Sequence, residues 1–255
     1  MRFYQFLLML TLLFMGVEFR GFSINFFQIL LTFISCNLTQ FFWLKIFHLE
    51  EKGFLSSFIT SMGLSLLLRS DTYWVHPLVG FLAISSKFLI RFSNRHIFNP
   101  AMLGVVLGVS FFPAWISLGQ WGQGIWISGI LILFGLWVSW KAGMGITSTS
   151  FLLTHFSFLL YRIWYYGYEW SIFFHQIQNG SLLLFAFFMI TDPKTSPLSL
   201  IGKLLHCFFV CILAYHLQFS FYIQGSLIWS LFVMSPLVIF LDRFKTQKKY
   251  LLKSL

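Results

Sequence analysis

Long apolar runs dominate the chain, and charged or turn residues separate one run from the next. A transmembrane helix needs about 20 predominantly apolar residues, and a helix satisfies its own backbone hydrogen bonds in lipid. The pattern predicts spans at approximately 3–19, 22–44, 53–68, 72–90, 98–112, 124–140, 146–166, 172–190, 198–218 and 222–241. We therefore predict an all-α polytopic membrane protein with about ten transmembrane helices in a single transmembrane domain, residues 1–255.

The first two runs each raise a question about how they lie in the membrane. Phe3–Met15 has the length of a signal-peptide core, but no small-residue cleavage site follows it, so we interpret it as a retained first span. The second run carries several Ser, Thr, Asn and Gln residues. It is too polar to face lipid all round, and we expect it either to pack inside the bundle or to tilt.

The distribution of positive charge supports an even number of spans. With ten spans, the N-terminus, the even-numbered loops and the C-terminus share one side of the membrane. Every Lys and Arg falls on that side except Arg20, Arg69 and Arg162. Because cytoplasmic loops are enriched in Lys and Arg, we predict that both termini are cytoplasmic and that residues 243–255 form a basic cytoplasmic tail.

Composition excludes several classes of protein. Hydrophobic residues make up 58% of the chain and charged residues 9%, whereas soluble domains carry about 25% charged residues. The net charge of +10 comes from cations at the ends of apolar runs, which indicates topology rather than a nucleic-acid surface. Three cysteines, all in apolar segments, give no disulfide framework.

The segment Ser86–Gly104, which we call the cationic hinge, interrupts the apolar pattern. Lys87, Arg91 and Arg95 are spaced four residues apart, so on a helix they form one positive stripe. Asn99 is a natural N-cap, and Pro100 suits the first turn of the next helix. The hinge then suits an anionic group: a cofactor phosphate or an acidic partner, with a lipid-contacting anchor as the simpler alternative.

A second polar corner, Thr191–Pro197, lies between the predicted eighth and ninth spans. Its candidate site residues are Asp192, Pro193, Thr195, Ser196 and Pro197. Two prolines within five residues prevent a regular helix, and the Asp192 carboxylate can cap the turn. The corner is therefore either a binding loop or a rigid cytoplasmic turn.

A weak internal repeat connects this corner to an earlier segment. Ser70-Asp71 with Pro77 stands before the fourth predicted span, as Thr191-Asp192 with Pro197 stands before the ninth. Five spans separate the two patterns, which is typical of an inverted-topology repeat. The pattern predicts two inverted five-helix repeats, with halves 1–122 and 123–242, and makes Asp71 a further candidate site residue.

Other residues that carry chemistry have plain alternatives. Cys207 and Cys211 share a helix face and supply half of an iron–sulfur ligand set, or they are small buried hydrophobes. His155 lies inside a span and is either functional or hydrogen-bonded to a Ser or Thr. Arg162 and Glu169 fit a surface ion pair. The sequence contains no metal-ligand quartet, dinucleotide loop, Walker motif or nucleophile–base set.

Three segments together resemble the RnfD/NqrB family: Leu66–Met102, Ile116–Gly122 and Phe185–Pro197. Members are the large membrane subunits of Rnf and sodium-translocating NADH:quinone oxidoreductase electron-transport complexes. The chain is most similar to the shorter stand-alone branch that includes UnbU-like proteins. Phe98-Asn99-Pro100-Ala101 matches a family motif, Lys87 matches a lysine that precedes it, and Thr191-Asp192-Pro193 with Thr195-Ser196-Pro197 matches the Thr-Asp-Pro loop.

The resemblance implies ten spans in two inverted halves, a bacterial-type inner membrane, and other membrane redox subunits as partners. Better-known members attach FMN to a threonine in a loop that corresponds to Pro113–Gln123. That loop here contains no threonine, and Thr147 and Thr149 lack the motif's context. We therefore expect any flavin, FMN or riboflavin, or a quinone, to be held non-covalently.

Three functions remain open from the sequence. The first is a subunit of an oxidoreductase complex, in which cofactor and partner subunits supply the chemistry. The second is a transporter or channel built on the same inverted halves, and the third is a membrane scaffold for a biosynthetic enzyme. The first hypothesis also expects the cationic hinge and the Thr191–Pro197 corner to frame one pocket at the cytoplasmic rim.

Overall fold

The computed structural model describes residues 2–49, 53–93, 95–117 and 125–242. It divides the chain into two compact units, Met1–Gly122 and Gln123–Leu255, and each unit is described by itself below. The described residues are mostly helical, which confirms the predicted helical architecture.

The described residues of the first unit form five helices and two short strand pairs. The helices are α1 (Arg2–Arg20), α2 (Phe26–Ile46), α3 (Phe54–Leu67), α4 (Val75–Leu89) and α5 (Pro100–Phe111). The strands are β1 (Leu68–Arg69), β2 (Arg91–Phe92), β3 (Arg95–His96) and β4 (Trp115–Ile116). Antiparallel pairing joins β1 to β4 and β2 to β3.

Helices α2 and α4 run parallel and are joined by side-chain hydrogen bonds along their length. Gln28 donates to the carbonyl of Ser70 just before α4, the Cys36 thiol lies 3.8 Å from the Gly80 carbonyl, and Trp43 donates to Ser85. The buried side chains of α2 include Gln28, Thr32, Thr39 and Gln40. The expected inward position is therefore confirmed for the Gln and Thr residues of α2, whereas Ser23 and Asn25 before the helix are exposed.

The loops of the first unit fall into two groups, which lie at opposite ends of its helices. The segments after α1, α3 and α5 meet at one end: Phe22 packs on Arg69, and Ser70 donates to the carbonyl of Pro113. We call this the odd-loop end. The segments after α2 and α4 lie near Lys87, which reaches α2 and the start of α3. This alternation is what successive membrane crossings produce.

In the second unit, residues 125–242 are described, and they form six helices and a π-helical turn. They are α6 (Ile125–Lys141), α7 (Gly145–Tyr166), α8 (Trp170–Ile177), α9 (Gly180–Leu184), the π-helix (Phe185–Met189), α10 (Leu200–Phe219) and α11 (Ser226–Met234). Residues 237–242 add a final helical turn. Pro236, which has no backbone N–H, lies in the turn before it.

Helices α7 and α10 are also a parallel pair. The thiols of Cys207 and Cys211 donate to the carbonyls of Thr147 and Phe151, at 3.4 and 3.6 Å. Helix α6 packs against α9 and the π-helix, and Gly135 provides the close approach. A Cβ atom there would lie 2.4 Å from the Phe187 ring.

The helices follow the predicted runs, with two differences in the second unit. The predicted eighth span, 172–190, breaks at Gln178–Asn179, because the Asn179 side chain accepts a hydrogen bond from the Ser181 amide and starts a new helix. The predicted tenth span breaks at Pro236. By length and apolar composition, α2 and α10 can each cross a membrane. Helix α7 is as long but less apolar, and the other apolar helices described are shorter.

Candidate functional site

The predicted positive stripe in the cationic hinge is wrong. Helix α4 ends at Leu89, so only Lys87 of the three cations is helical. Arg91 and Arg95 lie on strands β2 and β3, where Arg91 pairs with His96 and Phe92 pairs with Arg95. Ser93 has a φ of 46°, a left-handed conformation that turns the chain. The hinge is therefore a cationic β-hairpin rather than a continuation of the helix.

Lys87 connects three helices of the first unit. Its Nζ atom donates to Oε1 of Gln40 on α2 at 2.9 Å and to Oγ of Ser56 on α3 at 3.2 Å. The side chain is half-buried. A cation between apolar helices is stabilised by such oxygen partners, so Lys87 holds α4 against its neighbours.

Asn99 and Pro100 take the predicted roles at the start of α5. The Asn99 side chain accepts a hydrogen bond from the Met102 amide, and Pro100 occupies the first helical turn. Asn99 is buried. The N-cap prediction is confirmed, and it commits the Asn99 side-chain oxygen to the fold.

The odd-loop end of the first unit is organised around a buried arginine. Arg69 is 0% exposed, and its Nη1 atom donates to the carbonyls of Ser65 and Leu68 at 2.7 and 2.8 Å. The guanidinium lies 4.8 Å from the Phe22 ring centroid. Burial lowers the pKa of Arg69 to about 10, so the side chain remains cationic at neutral pH.

The repeat partner residue Asp71 lies in the same segment but is exposed. It makes no hydrogen bond or ion pair within the described ranges. Buried Ser70, just before it, donates to the Pro113 carbonyl. Ser70 rather than Asp71 therefore fixes this turn.

The Thr191–Pro197 corner leaves directly from the π-helix. The Ile190 amide donates to the Phe185 carbonyl, five residues back, and the Thr191 hydroxyl donates to the Phe187 carbonyl. The Ser196 hydroxyl returns to the Ile190 carbonyl at 2.6 Å. π-Helical turns often occur at functional sites. This one ends at Met189, directly before the Thr191–Pro197 corner.

The corner itself is a folded turn with a polar outer edge. Thr191, Thr195, Ser196 and Pro197 are buried, whereas Pro193 and Lys194 are exposed. The Asp192 carboxylate accepts from the Lys194 amide at 3.0 Å, and the Asp192 carbonyl accepts from the Thr195 and Ser196 amides. This matches the rigid turn that the sequence offered as one alternative.

Asp192→Ala is expected to loosen the corner without preventing membrane insertion. It removes the acceptor of the Lys194 amide, at a cost of about 1–2 kcal/mol in the free energy of unfolding. Thermal unfolding of the detergent-purified protein measures this, and membrane fractionation tests insertion. Asp71→Ala is the matched control and should unfold like wild type. Equal unfolding temperatures for wild type and both variants would contradict the assignment.

The remaining candidates, Cys207, Cys211 and His155, are buried, and no ion pair or metal-binding group surrounds them in the described part of the chain. The thiols of Cys207 and Cys211 face backbone carbonyls, as above. His155 stacks on Phe151 with ring centroids 5.7 Å apart, and its Nδ1 atom has no hydrogen-bond partner among the described residues. The described residues contain no group of three or more His, Cys, Asp or Glu side chains arranged to hold a metal ion.

The suggested ion pair between Arg162 and Glu169 is wrong. Arg162 instead packs its guanidinium over aromatic rings, with Phe219 at 3.9 Å from the ring centroid. Glu169 accepts a hydrogen bond from Ser171. Aromatic faces attract cations, and α7 and α10 bring those faces to Arg162.

The role of Arg69 was not predicted from the sequence. This residue was counted only as one of the three cations on the side opposite the predicted cytoplasmic loops. A usable signal was present: Ser57, Ser61, Ser65 and Arg69 are spaced four residues apart and are all 0% exposed. The three serines lie on α3, where this spacing forms one polar stripe, and Arg69 follows on β1 directly after the helix. Polar residues inside a membrane bundle are costly and mark important positions.

The sequence model of the NQR2, RnfD, RnfE family matches residues 116–251 of the chain. The match covers just over half of the chain and includes the Thr191–Pro197 corner, whereas the cationic hinge lies outside it. No curated protein matches the chain significantly.

Proposed function

Because the chain belongs to the NQR2, RnfD, RnfE family, we propose that it is the D/B-type subunit of an electron-transport complex. Members of this family are membrane subunits of Rnf and NQR-type complexes. The observation that carries the proposal is the family match over the second unit, which contains the π-helix and the Thr191–Pro197 corner. Other membrane redox subunits and the lipid bilayer are its proposed partners.

The internal packing of each unit supports the proposed ten-span arrangement in inverted halves. In the first unit α1 packs on α3, α2 on α4, and α4 on α5. In the second unit α6 packs on α9 and the π-helix, α7 on α10, and α10 on α11. The two sets correspond in order if α8, α9 and the π-helix count as one interrupted span. Helix α1 then corresponds to α6, α2 to α7, α3 to the interrupted span, α4 to α10 and α5 to α11. Five spans then separate each element from its counterpart, and an odd offset inverts the second half.

The proposed orientation places both termini in the cytoplasm of a bacterial-type inner membrane. Lys203 supports the grouping of even-numbered loops in the second unit, because its Nζ atom donates to the Gly143 carbonyl after α6 at 3.2 Å. Lys141 and Lys194 belong to the same group of loops. Arg162 lies at the end of α7 away from these even-numbered loops. Under the positive-inside rule, few cations are expected on that side of the membrane.

A redox group in this subunit is proposed to be non-covalent. The residues present do not fit covalent FMN, because the segment 113–123 contains no threonine. Lys87 and Asn99 already hold the fold through Gln40, Ser56 and Met102. Arg91 and Arg95 place two guanidinium groups on the hairpin, and the planar fork of a guanidinium suits a flavin phosphate. A bound flavin or quinone would supply one-electron chemistry, and the chain would orient it and exclude water.

The detergent-purified protein is expected to show flavin or quinone absorbance together with an unmodified protein mass. Visible and ultraviolet spectra, followed by denaturation and extraction, identify the released group, and intact-protein mass spectrometry tests for attachment. A mass gain of one FMN minus water would contradict the non-covalent proposal. Absence of any redox-active group would contradict the cofactor-binding proposal and leave family membership unchanged.

A second candidate function, ion or substrate transport, has one specific observation in its favour. The eighth predicted span is interrupted at Gln178–Asn179, and the fully buried segment Gly180–Met189 that follows is too short to cross a bilayer alone. Interrupted spans often border transport sites. A protein that carries no redox group but conducts ions in liposomes would favour this alternative.

A further inference from the structure

A cluster of aromatic side chains surrounds Arg162 where α7 and α10 end together. Its ring contacts are to Phe219 at 3.9 Å, Tyr168 at 5.0 Å and Tyr166 at 5.8 Å from the ring centroids. Tyr161, Tyr165 and Tyr215 complete what we call the arginine–tyrosine cluster. Neighbouring rings are in contact, with Tyr165 and Tyr166 centroids 5.0 Å apart and Tyr215 and Phe219 centroids 5.1 Å apart.

The polar ends of this cluster are not used inside the protein. Within the described parts of the chain, the Arg162 guanidinium makes only ring contacts. The hydroxyl groups of its five tyrosines make no hydrogen bond there either. A guanidinium carries five N–H donors in a planar fork that matches a phosphate. The cluster therefore presents several donors and one positive charge on one surface.

The surface around these donors is strongly apolar and exposed. Trp164 is 79% exposed, Tyr165 62% and Tyr166 58%. Helix α8 follows immediately and contains no buried residue, with Trp170 63% exposed. Trp and Tyr rings are enriched where a membrane meets water, since one part of the side chain is apolar and the other polar.

We propose that the arginine–tyrosine cluster binds the phosphate of a phospholipid head group, with α8 lying in the same interface. The guanidinium pairs with the phosphate, tyrosine hydroxyls donate to its ester region, and the exposed rings contact the upper acyl chain. The positive charge favours an anionic lipid, because Arg162 forms no ion pair within the described residues. Glu169, the nearest carboxylate in sequence, instead accepts a hydrogen bond from Ser171. This inference rests on membrane residence and is independent of the proposed redox function.

Native mass spectrometry of the full-length protein with phosphatidylglycerol tests the proposal. Wild type should retain the lipid, and Arg162→Ala should lower its retention roughly tenfold, as expected for a lost charge-assisted contact. Arg162→Lys should keep part of the retention, because it preserves the charge but loses the fork. Tyr166→Phe with Tyr168→Phe should weaken retention less than Arg162→Ala, since both rings remain.

Three comparisons identify the source of the binding. Lys45→Ala removes an exposed cation that lies 4.5 Å from a single ring, that of Phe41, and should leave phosphatidylglycerol retention unchanged. A glycolipid without phosphate should be retained equally by wild type and Arg162→Ala, and inorganic phosphate should not displace phosphatidylglycerol. Circular dichroism establishes that each variant is folded.

Several results would overturn the proposal. Equal phosphatidylglycerol retention by folded wild type and Arg162→Ala would do so, and so would an equal loss in Lys45→Ala. Displacement by inorganic phosphate would mean a free-anion site instead of a lipid site. If Arg162→Ala does not fold, two other folded variants decide the question: Arg162→Lys, and Tyr166→Phe combined with Tyr168→Phe. Unchanged phosphatidylglycerol retention in both would overturn the proposal. Occupation of the cluster by a partner subunit in the purified complex would also exclude lipid.

Discussion

Arg69→Ala is expected to destabilise the protein by about 3 kcal/mol or more, the largest effect that we expect from a single polar side chain. The substitution leaves the carbonyls of Ser65 and Leu68 without their Nη1 donor in a fully buried place. It also leaves a cavity next to Phe22. Each unsatisfied buried group costs roughly 1–3 kcal/mol, and a cavity adds to this. Thermal unfolding of the detergent-purified protein should show a clear loss of stability.

Two further substitutions separate the causes of this effect. Arg69→Met fills most of the volume but donates no hydrogen bond, so we expect it to remain about 2 kcal/mol less stable than wild type. Lys45→Met removes an exposed cation and should change stability by no more than about 0.5 kcal/mol. If Arg69→Met unfolded at the wild-type temperature, the guanidinium would not be what holds the odd-loop end together.

Gly135→Ala is expected to destabilise the second unit by about 1–3 kcal/mol. The Cβ atom of the new alanine would lie 2.4 Å from the Phe187 ring and 2.9 Å from the Cβ atom of Phe187. That contact lies near the root of the Phe187 side chain, so a rotamer change cannot relieve it and helix α6 must move away from the π-helix. Overpacking of this kind typically costs 1–3 kcal/mol. Thermal unfolding measures the loss.

Gly129→Ala provides the matched control on the same helix. Among the described residues, nothing lies within 4 Å of a Cβ atom at Gly129, and replacing a helical glycine by alanine gains roughly 0.5–1 kcal/mol. The two substitutions should therefore change stability in opposite directions. If both raised the unfolding temperature, the close approach of α6 to the π-helix would be disproved.

The sequence was sufficient for the helices because hydrophobic length and the capping residues act locally. Asn99 and Pro100 start α5 where the sequence places them, and the polar face of α2 turns inward as its Gln and Thr residues require. The corner at Asp192 forms the turn that its prolines dictate. The family could also be identified from these motifs, and its sequence model matches residues 116–251.

Predictions made from sequence spacing alone were wrong where the same residues are compatible with two different local structures. Lys87, Arg91 and Arg95 keep a four-residue period, but the chain turns at Ser93 and places the last two on paired strands. The eighth apolar run is continuous in composition, yet Asn179 caps a new helix inside it. Arg162 has a carboxylate nearby in sequence, but the folded chain offers aromatic rings at closer range.

The sequence by itself determined that this is a helical membrane protein, because apolar length, charge distribution and caps depend on neighbouring residues only. Its motifs also carried the resemblance to the NQR2, RnfD, RnfE family, whose sequence model matches the chain. Only the tertiary structure decided which side chains meet. The packing of Arg69 on Phe22, the parallel pairs α2–α4 and α7–α10, the contact of Gly135 with Phe187 and the packing of Arg162 on Phe219 all join residues distant in sequence. Packing between helices selects these contacts, and no local pattern encodes them.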